Sequence, residues 1–275
     1  MRVAMGLGRL TTSTAQCATS NGRVVRHLFG VPIDALTMDD VLDAVDAAVK
    51  RRTRLLIGVV NAAKLVNMQR DPALGRAVLD ADLILADGMA VVWASRLLRR
   101  PLPERIAGID LMQRMLGRAR DRGYRVYCLG ATDEVLAAAV ERMRADHPGV
   151  EIVGRHHGYF APADEPRLAE AIGAARPDIL FVAMTSPKKE QFLARWSAVM
   201  NVPVCHGVGG SFDVLAGKVR RAPVAWQRLG LEWLYRVVQE PRRMWRRYLV
   251  TNTLFCGMVM GEMLRGRGHG ERSDT

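Results

Sequence analysis

The sequence lacks a long unbroken apolar run and has few cysteines. Its most apolar tail segment, "YLVTNTLFCGMVMGEMLR", is shorter than the roughly 20 residues that span a bilayer, and it contains Asn252 and Glu262. The N-terminus has no apolar stretch typical of a secretion signal, so residues 1–26 are predicted to be a disordered extension. The four cysteines form no CxxC pair, which is typical of free thiols in a reducing cytoplasm rather than of disulfides or zinc sites.

Acidic residues are also scarce relative to basic ones. The chain of 275 residues has 40 Lys and Arg against 28 Asp and Glu, a formal net charge of +12. This excess predicts an anionic partner: a nucleic acid, a phosphorylated substrate or an acidic membrane surface. The hydrophobic fraction of 49% is ordinary for a globular protein, so general disorder is excluded.

Short aliphatic runs alternate with helical periods over residues 27–217, the predicted core. Six runs are typical of buried strands: "LLIGVVN", "LILAD", "RVYCLGA", "VEIVGRHHG", "DILFVAM" and "VPVCHGVGG". Continuous apolar strands with helices between them indicate a mostly parallel sheet covered on both faces. The predicted fold class is therefore α/β and doubly wound.

Polar and glycine residues follow these strands, and all parallel strands deliver their carboxyl ends to one edge of the sheet. Ligands bind at that edge in open α/β folds. We therefore expect Asn61, Asp87 and a glycine-rich loop to gather there, the loop consisting of Gly207, Val208, Gly209, Gly210 and Ser211. The plainer interpretation of Asp87 is a helix N-cap, which contributes about 1 kcal/mol.

Familiar cofactor and metal motifs are missing. "GVGGSFD" lacks the third glycine of GxGxxG, and "GSFDVLAGK" has the wrong spacing for a Walker loop. His156 and His157 are adjacent and cannot form the i, i+4 pair of helical zinc sites, while Asp80 and Asp82 precede their strand. The sequence therefore predicts neither a metal nor a cofactor.

The remaining polar groups suit group transfer from a nucleotide-activated donor to an alcohol. Asp87 could act as a general base. The backbone N–H groups of the loop Gly207–Ser211 could seat a phosphate, and arginines could neutralise a leaving diphosphate. The alternative, in which the glycines serve only turns and the arginines only solubility, stays open on these residues alone.

Residues 218–265 have a different character and are predicted to be a basic helical appendage, followed by a disordered tail over 266–275. Trp226, Trp233 and Trp245 are interleaved with arginines here. This mixture is typical of helices that seat at a lipid interface, and it would also suit single-stranded nucleic acid or a simple solvated face. No recognisable nucleic-acid fold accompanies it, which favours an anionic membrane surface as the partner.

Taken in order, the motifs resemble the WecG/TagA/CpsF glycosyltransferases, also called glycosyltransferase family 26. The resemblance extends from Gly30 to Arg247. It rests on "GVPIDALT", "VVNAAKLV", "LILADGMAVVWASRLL", "ERIAGIDLM", "YCLGA", "GYF", "SPKKE", "GVGGSFDVLAGKVRRAP" and "LEWLYRVVQEPRRMWRR".

The resemblance implies a Rossmann-like core and a C-terminal appendage that docks on the membrane and completes the site. Members transfer a sugar from a UDP-sugar to an undecaprenyl-diphosphate-linked acceptor in cell-surface polysaccharide or teichoic acid biosynthesis. The implied reaction is metal-independent and inverting, with no cofactor, and the sugar is N-acetylmannosamine, its uronic acid or a related sugar. The implied location is cytoplasmic, peripheral on the inner face of the plasma membrane, and a homo-oligomer is left open.

The resemblance also assigns residues. Asp87 matches the proposed catalytic base, and Asn61 matches a substrate contact. Arg105 lies in the "ER" motif and, with the loop Gly207–Ser211, is expected to help hold UDP. The appendage arginines that match diphosphate ligands are Arg236, Arg243 and Arg246.

Three positions depart from the family pattern. Val59 stands where the family often has Thr, Thr185 where it usually has Gly, and Lys189 where it usually has Gln. The cation at Lys189 could pair with a donor carboxylate, which hints at a uronic acid sugar. Two other functions remain as alternatives: an inactive membrane-peripheral binding protein of the same fold, and a nucleic-acid-binding protein.

Overall fold

The computed structural model describes residues 19–20 and 23–270, except for a few side chains, which are those of Thr19, Ser20, Arg228, Arg243, Arg247 and residues 266–270. The strands are β1 (Thr19–Ser20), β2 (Arg23–Leu28), β3 (Val31–Asp34), β4 (Leu55–Val60), β5 (Leu83–Ala86), β6 (Arg125–Gly130), β7 (Glu151–His156), β8 (Ile179–Ala183) and β9 (Val204–Gly207). The helices are α1 (Met38–Arg51), α2 (Ala62–Arg70), α3 (Pro72–Leu79), α4 (Met89–Leu97), α5 (Gly108–Arg122), α6 (Asp133–Asp146), α7 (Glu165–Ala174), α8 (Lys188–Met200), α9 (Ser211–Leu215), α10 (Val224–Arg228), α11 (Glu232–Gln239) and α12 (Pro241–Gly270).

The six predicted strands form one parallel sheet in the order β5-β4-β9-β8-β6-β7. Side chains of β4 alternate between two apolar layers: Ile57 packs with α1, α5 and α6, whereas Leu56 packs with α7 and α8 on the other face. A third cluster joins β4 and β5 to α2, α3 and α4. Both faces of the sheet are therefore buried, and the predicted α/β, doubly wound fold is confirmed.

An antiparallel hairpin precedes the sheet. Strands β2 and β3 are joined by a two-residue turn, Phe29 and Gly30, with φ of 54° and 78°. Such positive φ angles match the twist of tight hairpins. The Asp34 carboxylate at the end of β3 accepts the N–H of Ile84 at 2.8 Å, which ties the hairpin to edge strand β5.

The hairpin corrects one boundary. A disordered extension over 1–26 is wrong for Arg23–Arg26, because these residues pair with β3 within β2, and Thr19–Ser20 pair with β2 as strand β1. The rest of the predicted extension, residues 1–18 and 21–22, lies outside the described residues.

The segment between β4 and β5 forms two short helices, α2 and α3. Proline lacks the N–H that a helix interior needs, and Pro72 occupies the first position of α3. The Asp71 carboxylate accepts the N–H groups of Ala73 and Leu74 at 2.9 and 3.1 Å, so the break is capped.

The long last helix packs back onto the core. Phe255 and Val259 of α12 are buried beside α2, and Phe29 meets Phe255 edge to face. The Glu262 carboxylate accepts the N–H of Phe29 at 2.8 Å and pairs with Arg100. The C-terminal half of the appendage is therefore part of the folded body, because its apolar face completes a core cluster.

The helix also extends into the predicted tail. It runs to Gly270, and only residues 271–275 lie outside the described part. Within the described residues, no helix has the length and apolar character needed to cross a bilayer. Cys128, Cys205 and Cys256 are free thiols. The first two are buried, and Cys256 is exposed.

Candidate active site

Asp87 lies immediately after β5, at the carboxyl edge of the sheet. Its own N–H donates to the carbonyl of Val60 at 2.9 Å, which extends the pairing of β5 with β4. Its Oδ1 accepts the N–H of Gly108, the first residue of α5, at 3.0 Å. Helix α4, which directly follows Asp87, has no side-chain cap. The N-cap interpretation thus holds only in altered form, because the carboxylate bonds the start of a helix 21 residues further along.

The pKa of the Asp87 carboxyl is raised. Burial has the largest effect, since surrounding protein disfavours the charged form, and the charge of Glu232 acts in the same direction. The Gly108 N–H and the charges of Arg105 and Arg236 oppose this shift. The residue as a whole is only half-buried. A carboxylate with a raised pKa is a stronger proton acceptor at neutral pH than an ordinary one.

Asn61 lies beside Asp87 on the neighbouring strand end. Its Oδ1 accepts the N–H of Lys64 at 3.0 Å and caps helix α2, while the residue itself is exposed. A side chain on Gly88 would have its Cβ only 3.4 Å from that of Asn61. The edge therefore brings together Asn61 and Asp87, as the sequence predicts.

The glycine-rich loop follows β9, which pairs with β4 on the side away from β5. Gly209 has φ of +55°, which glycine adopts readily. The Ser211 hydroxyl donates to the carbonyl of Val208 at 2.7 Å, so its hydrogen is used within the loop. The loop Gly207–Ser211 thus occupies the predicted edge, and its role as a phosphate seat stays a prediction.

Lys189, in the first turn of α8, packs against Gly207 of this loop. It is almost fully buried, and its Nζ is 3.5 Å from Glu190 Oε1, which Lys64 also approaches, at 2.8 Å. Burial and the neighbouring Lys64 lower the pKa of Lys189 to about 8. Burial alone would raise the pKa of Glu190, but the two lysines lower it to about 2. The structure therefore engages Lys189 in an internal ion cluster.

Gly207 makes room for this lysine. A Cβ at position 207 would lie 2.7 Å from the Cδ of Lys189, closer than atoms can pack. A larger residue would require the end of the lysine side chain to shift, so the glycine favours the close approach of strand and side chain, a role distinct from the phosphate contact that the sequence predicts.

The appendage reaches the edge through α11. Arg105 pairs with Glu232, the first residue of α11, and also lies 3.5 Å from Asp110. Arg236, also on α11, is exposed, and its charge acts on Asp87. The structure thus brings Arg105 and Arg236 close to the carboxylate.

The other two predicted appendage arginines are on α12. Arg246 is exposed, and its guanidinium lies 5.4 Å from the ring centre of Trp245, within range of a cation–π contact. The side chain of Arg243 lies outside the described residues.

Sequence reasoning missed three members of a charged network at this edge: Asp110, Arg221 and Glu232. Arg221 binds Asp110 through two hydrogen bonds, of 2.6 and 2.8 Å, and its Nε lies 3.6 Å from Glu232 Oε1. Each of these residues lies inside one of the motifs quoted above. Asp110 and Arg221, however, are 111 positions apart in the sequence, and Arg105 and Glu232 are 127 positions apart. Only the fold brings such distant charges together.

A fourth missed residue, His206, supports the turn that holds Asp87. The imidazole is completely buried in β9, and its Nε2 lies 3.2 Å from the carbonyl oxygen of Gly108. Burial lowers the pKa of His206 to about 4, so the ring is neutral at physiological pH. It therefore acts as a hydrogen-bonding support within the core.

A metal centre finds no candidate in the part of the chain that the structure describes. No group of three or more His, Cys, Asp or Glu side chains there is arranged to hold an ion. The groups that the structure places at the edge are the Asp87 carboxylate, the Asn61 amide, the loop N–H groups and the charged network of Arg105, Asp110, Arg221 and Glu232.

Comparison with known proteins identifies the family of the chain. Residues 26–269 match the model of the Glycosyl transferase WecG/TagA/CpsF family. A curated relative from Bacillus spizizenii, named N-acetylglucosaminyldiphosphoundecaprenol N-acetyl-beta-D-mannosaminyltransferase, is 41% identical over 200 residues, covering 73% of this chain and 77% of the relative. The chain therefore belongs to the WecG/TagA/CpsF family and is a glycosyltransferase.

Proposed function

We propose that this enzyme transfers N-acetylmannosamine, its uronic acid or a related sugar from a UDP-sugar to an undecaprenyl-diphosphate-linked acceptor. Asp87 removes the proton of the acceptor hydroxyl, which attacks the anomeric carbon while the bond to UDP breaks. A single displacement of this kind inverts the anomeric configuration. The step uses no metal, because arginines neutralise the charge that develops on the leaving diphosphate.

One observation carries the proposal: the Asp87 carboxylate lies at the sheet edge, held by Gly108 N–H and surrounded by arginine charge. The raised pKa suits proton abstraction, and Arg105 and Arg236 suit a diphosphate beside it. The name of the Bacillus spizizenii relative supports a polyprenyl-diphosphate-linked acceptor and a mannosamine-type sugar.

The same proposal includes docking on the anionic inner face of the plasma membrane, where such an acceptor is anchored. Several apolar side chains on α11 and α12 are exposed, among them Trp233, Val238, Trp245 and Leu249, with 37%, 65%, 47% and 59% exposed surface. Aromatic and basic residues together favour the lipid interface. Membrane binding can be measured by flotation with vesicles that contain phosphatidylglycerol. The double substitution Trp233→Ser and Trp245→Ser should reduce the bound fraction several-fold. The control substitution Trp196→Phe, on α8, should leave the bound fraction unchanged.

The test of transfer is acceptor-dependent release of UDP by the purified full-length enzyme. A panel of UDP-sugars with and without a carboxylate is offered with a polyprenyl-diphosphate-linked amino sugar. Asp87→Asn is the base-deficient variant, and Asp133→Asn, at an exposed position on α6, is the matched control. We expect release with one donor class, lost in Asp87→Asn and retained in the control.

The panel also tests Lys189. Because its ammonium is engaged with Glu190 inside the protein, Lys189→Gln should leave the preference between carboxylated and neutral donors unchanged. A preference for uronic acid donors that disappears in Lys189→Gln would instead assign the lysine to sugar recognition. Release that persists in Asp87→Asn would contradict the assignment of the base.

A further inference from the structure

Arg105 is expected to bind the donor, yet its guanidinium already has an anionic partner. The Glu232 carboxylate bonds Arg105 through Oε2, and its other oxygen lies 3.6 Å from Arg221. One carboxylate thus bridges two guanidinium groups, with one oxygen directed at each. Two phosphate oxygens could bridge the same pair in the same way, since guanidinium groups bind carboxylate and phosphate oxygens alike.

The two arginines are held in place independently of Glu232. Asp110 accepts both hydrogen bonds from Arg221, at 2.6 and 2.8 Å, and lies 3.5 Å from Arg105. Removing Glu232 from the group therefore leaves two cations anchored by one carboxylate, with a net charge of +1. An anion arriving there meets a pair of guanidinium groups that are already oriented, which reduces the entropy cost of binding.

One hydrogen-bond donor of this group is poorly satisfied. The Nε of Arg221 is buried, and Glu232 Oε1, the oxygen that it faces, lies 3.6 Å away, which is too far for a hydrogen bond. A buried donor without a good hydrogen bond is costly, and a bound anion that approaches more closely would satisfy it.

Glu232 can leave at low cost. It begins α11, a helix of eight residues with no buried side chain in its described part. Displacing such a helix uncovers little apolar surface, and elements of this kind open most easily. The charges of Glu232 and Arg105 both act on Asp87, so these two members of the group lie within electrostatic range of the proposed base.

We propose that Arg105 and Arg221 together form a subsite for the diphosphate of the sugar donor, and that Glu232 occupies this subsite in the donor-free protein. The inference rests on the proposed function, since it takes the donor to be a nucleoside diphosphate sugar. Donor binding then exchanges the Arg105–Glu232 pair for diphosphate contacts and releases the start of α11. Arg221 becomes a donor ligand, and Glu232 an internal competitor of the donor.

The experiment measures the Kd of UDP by titration calorimetry on the full-length protein and three variants. Arg221→Gln should weaken binding about tenfold or more, the usual effect of losing a charged hydrogen-bond pair. Glu232→Gln should tighten binding several-fold, because the competitor is lost. Arg220→Gln, at the exposed neighbouring position, is the matched control and should leave the Kd within about twofold.

Tighter binding by Glu232→Gln cannot arise from misfolding, so this variant tests the inference even if Arg221→Gln is unstable. Equal Kd values for Arg221→Gln and Arg220→Gln, or weaker binding by Glu232→Gln, would overturn it. Inorganic pyrophosphate separates the two proposals. If pyrophosphate binds and responds to these variants as described while UDP does not bind, the subsite stands and the UDP donor is wrong; if neither binds, the subsite is wrong too.

Discussion

The buried Asp46 and the half-buried Asp87 show how differently one protein uses two aspartate side chains. The carboxylate of Asp46, on α1, accepts a hydrogen bond from Tyr124 Oη at 3.0 Å. It also forms ion pairs with Arg122, at 3.0 Å, and with Arg118. Asp87 receives one backbone N–H and faces the open edge of the sheet. The first carboxylate is saturated by donors and fastens α1 to α5, whereas the second keeps acceptor capacity for a substrate.

The largest expected difference between the two residues is in turnover. Asp87→Asn should reduce kcat by about 10² to 10⁴, the usual contribution of general base catalysis. Asp46→Asn should keep the wild-type kcat per folded molecule, because its carboxylate contacts only structural groups. Steady-state UDP release, normalised to folded protein by circular dichroism, measures both. Comparable losses of kcat in the two variants would contradict the assignment of a catalytic role to Asp87 alone.

Stability should change in the opposite sense. Asp46→Asn removes the charge that three donors share and should lower the free energy of unfolding by about 2 kcal/mol. Asp87→Asn should cause no loss at neutral pH. A carboxyl whose pKa is raised in the folded state contributes stability that is fully present below its unfolded pKa and is lost as pH rises through the folded pKa. Urea denaturation of both variants at pH 7.5 measures the difference, and equal destabilisation would contradict it.

The smallest expected effect is on the pH profile. A base must be ionised to act, so the acid limb of kcat/KM should lie above the usual range of an aspartate, about 3.9, because the pKa of Asp87 is raised. Activity should rise with pH through that limb. The limb should persist in Asp46→Asn and disappear from the residual activity of Asp87→Asn. A limb at the usual aspartate pKa would mean that burial does not tune the base.

Much of this arrangement can be predicted from the sequence, because the aliphatic runs are strong signals. All six strands of the sheet were predicted, and the polar residues at their ends follow from parallel pairing. The hairpin was missed, since its turn is Phe29 and Gly30 rather than the Asn-Gly or Asp-Gly that marks such turns most clearly. The site was predicted where it depends on one strand end, as with Asp87.

The remainder of the site depends on side-chain pairs between distant segments. The bond from Gly108 to Asp87 and the pair Arg105–Glu232 join parts of the chain that no local pattern connects. The burial of Lys189 is likewise decided by the close approach of Gly207. Periodicity indicates which face of an element is apolar, but not which charge lies opposite another.

The contact between the hairpin turn and the last helix has a consequence for synthesis on the ribosome. Phe29 and Glu262 are 233 positions apart. At about 5–20 residues per second, the hairpin therefore waits roughly 10 to 50 seconds for its partner helix. During that interval the apolar surface that Phe255 and Val259 finally cover is open to the cell. Completion of this face thus waits for the synthesis of α12, and a chain interrupted before α12 leaves it exposed.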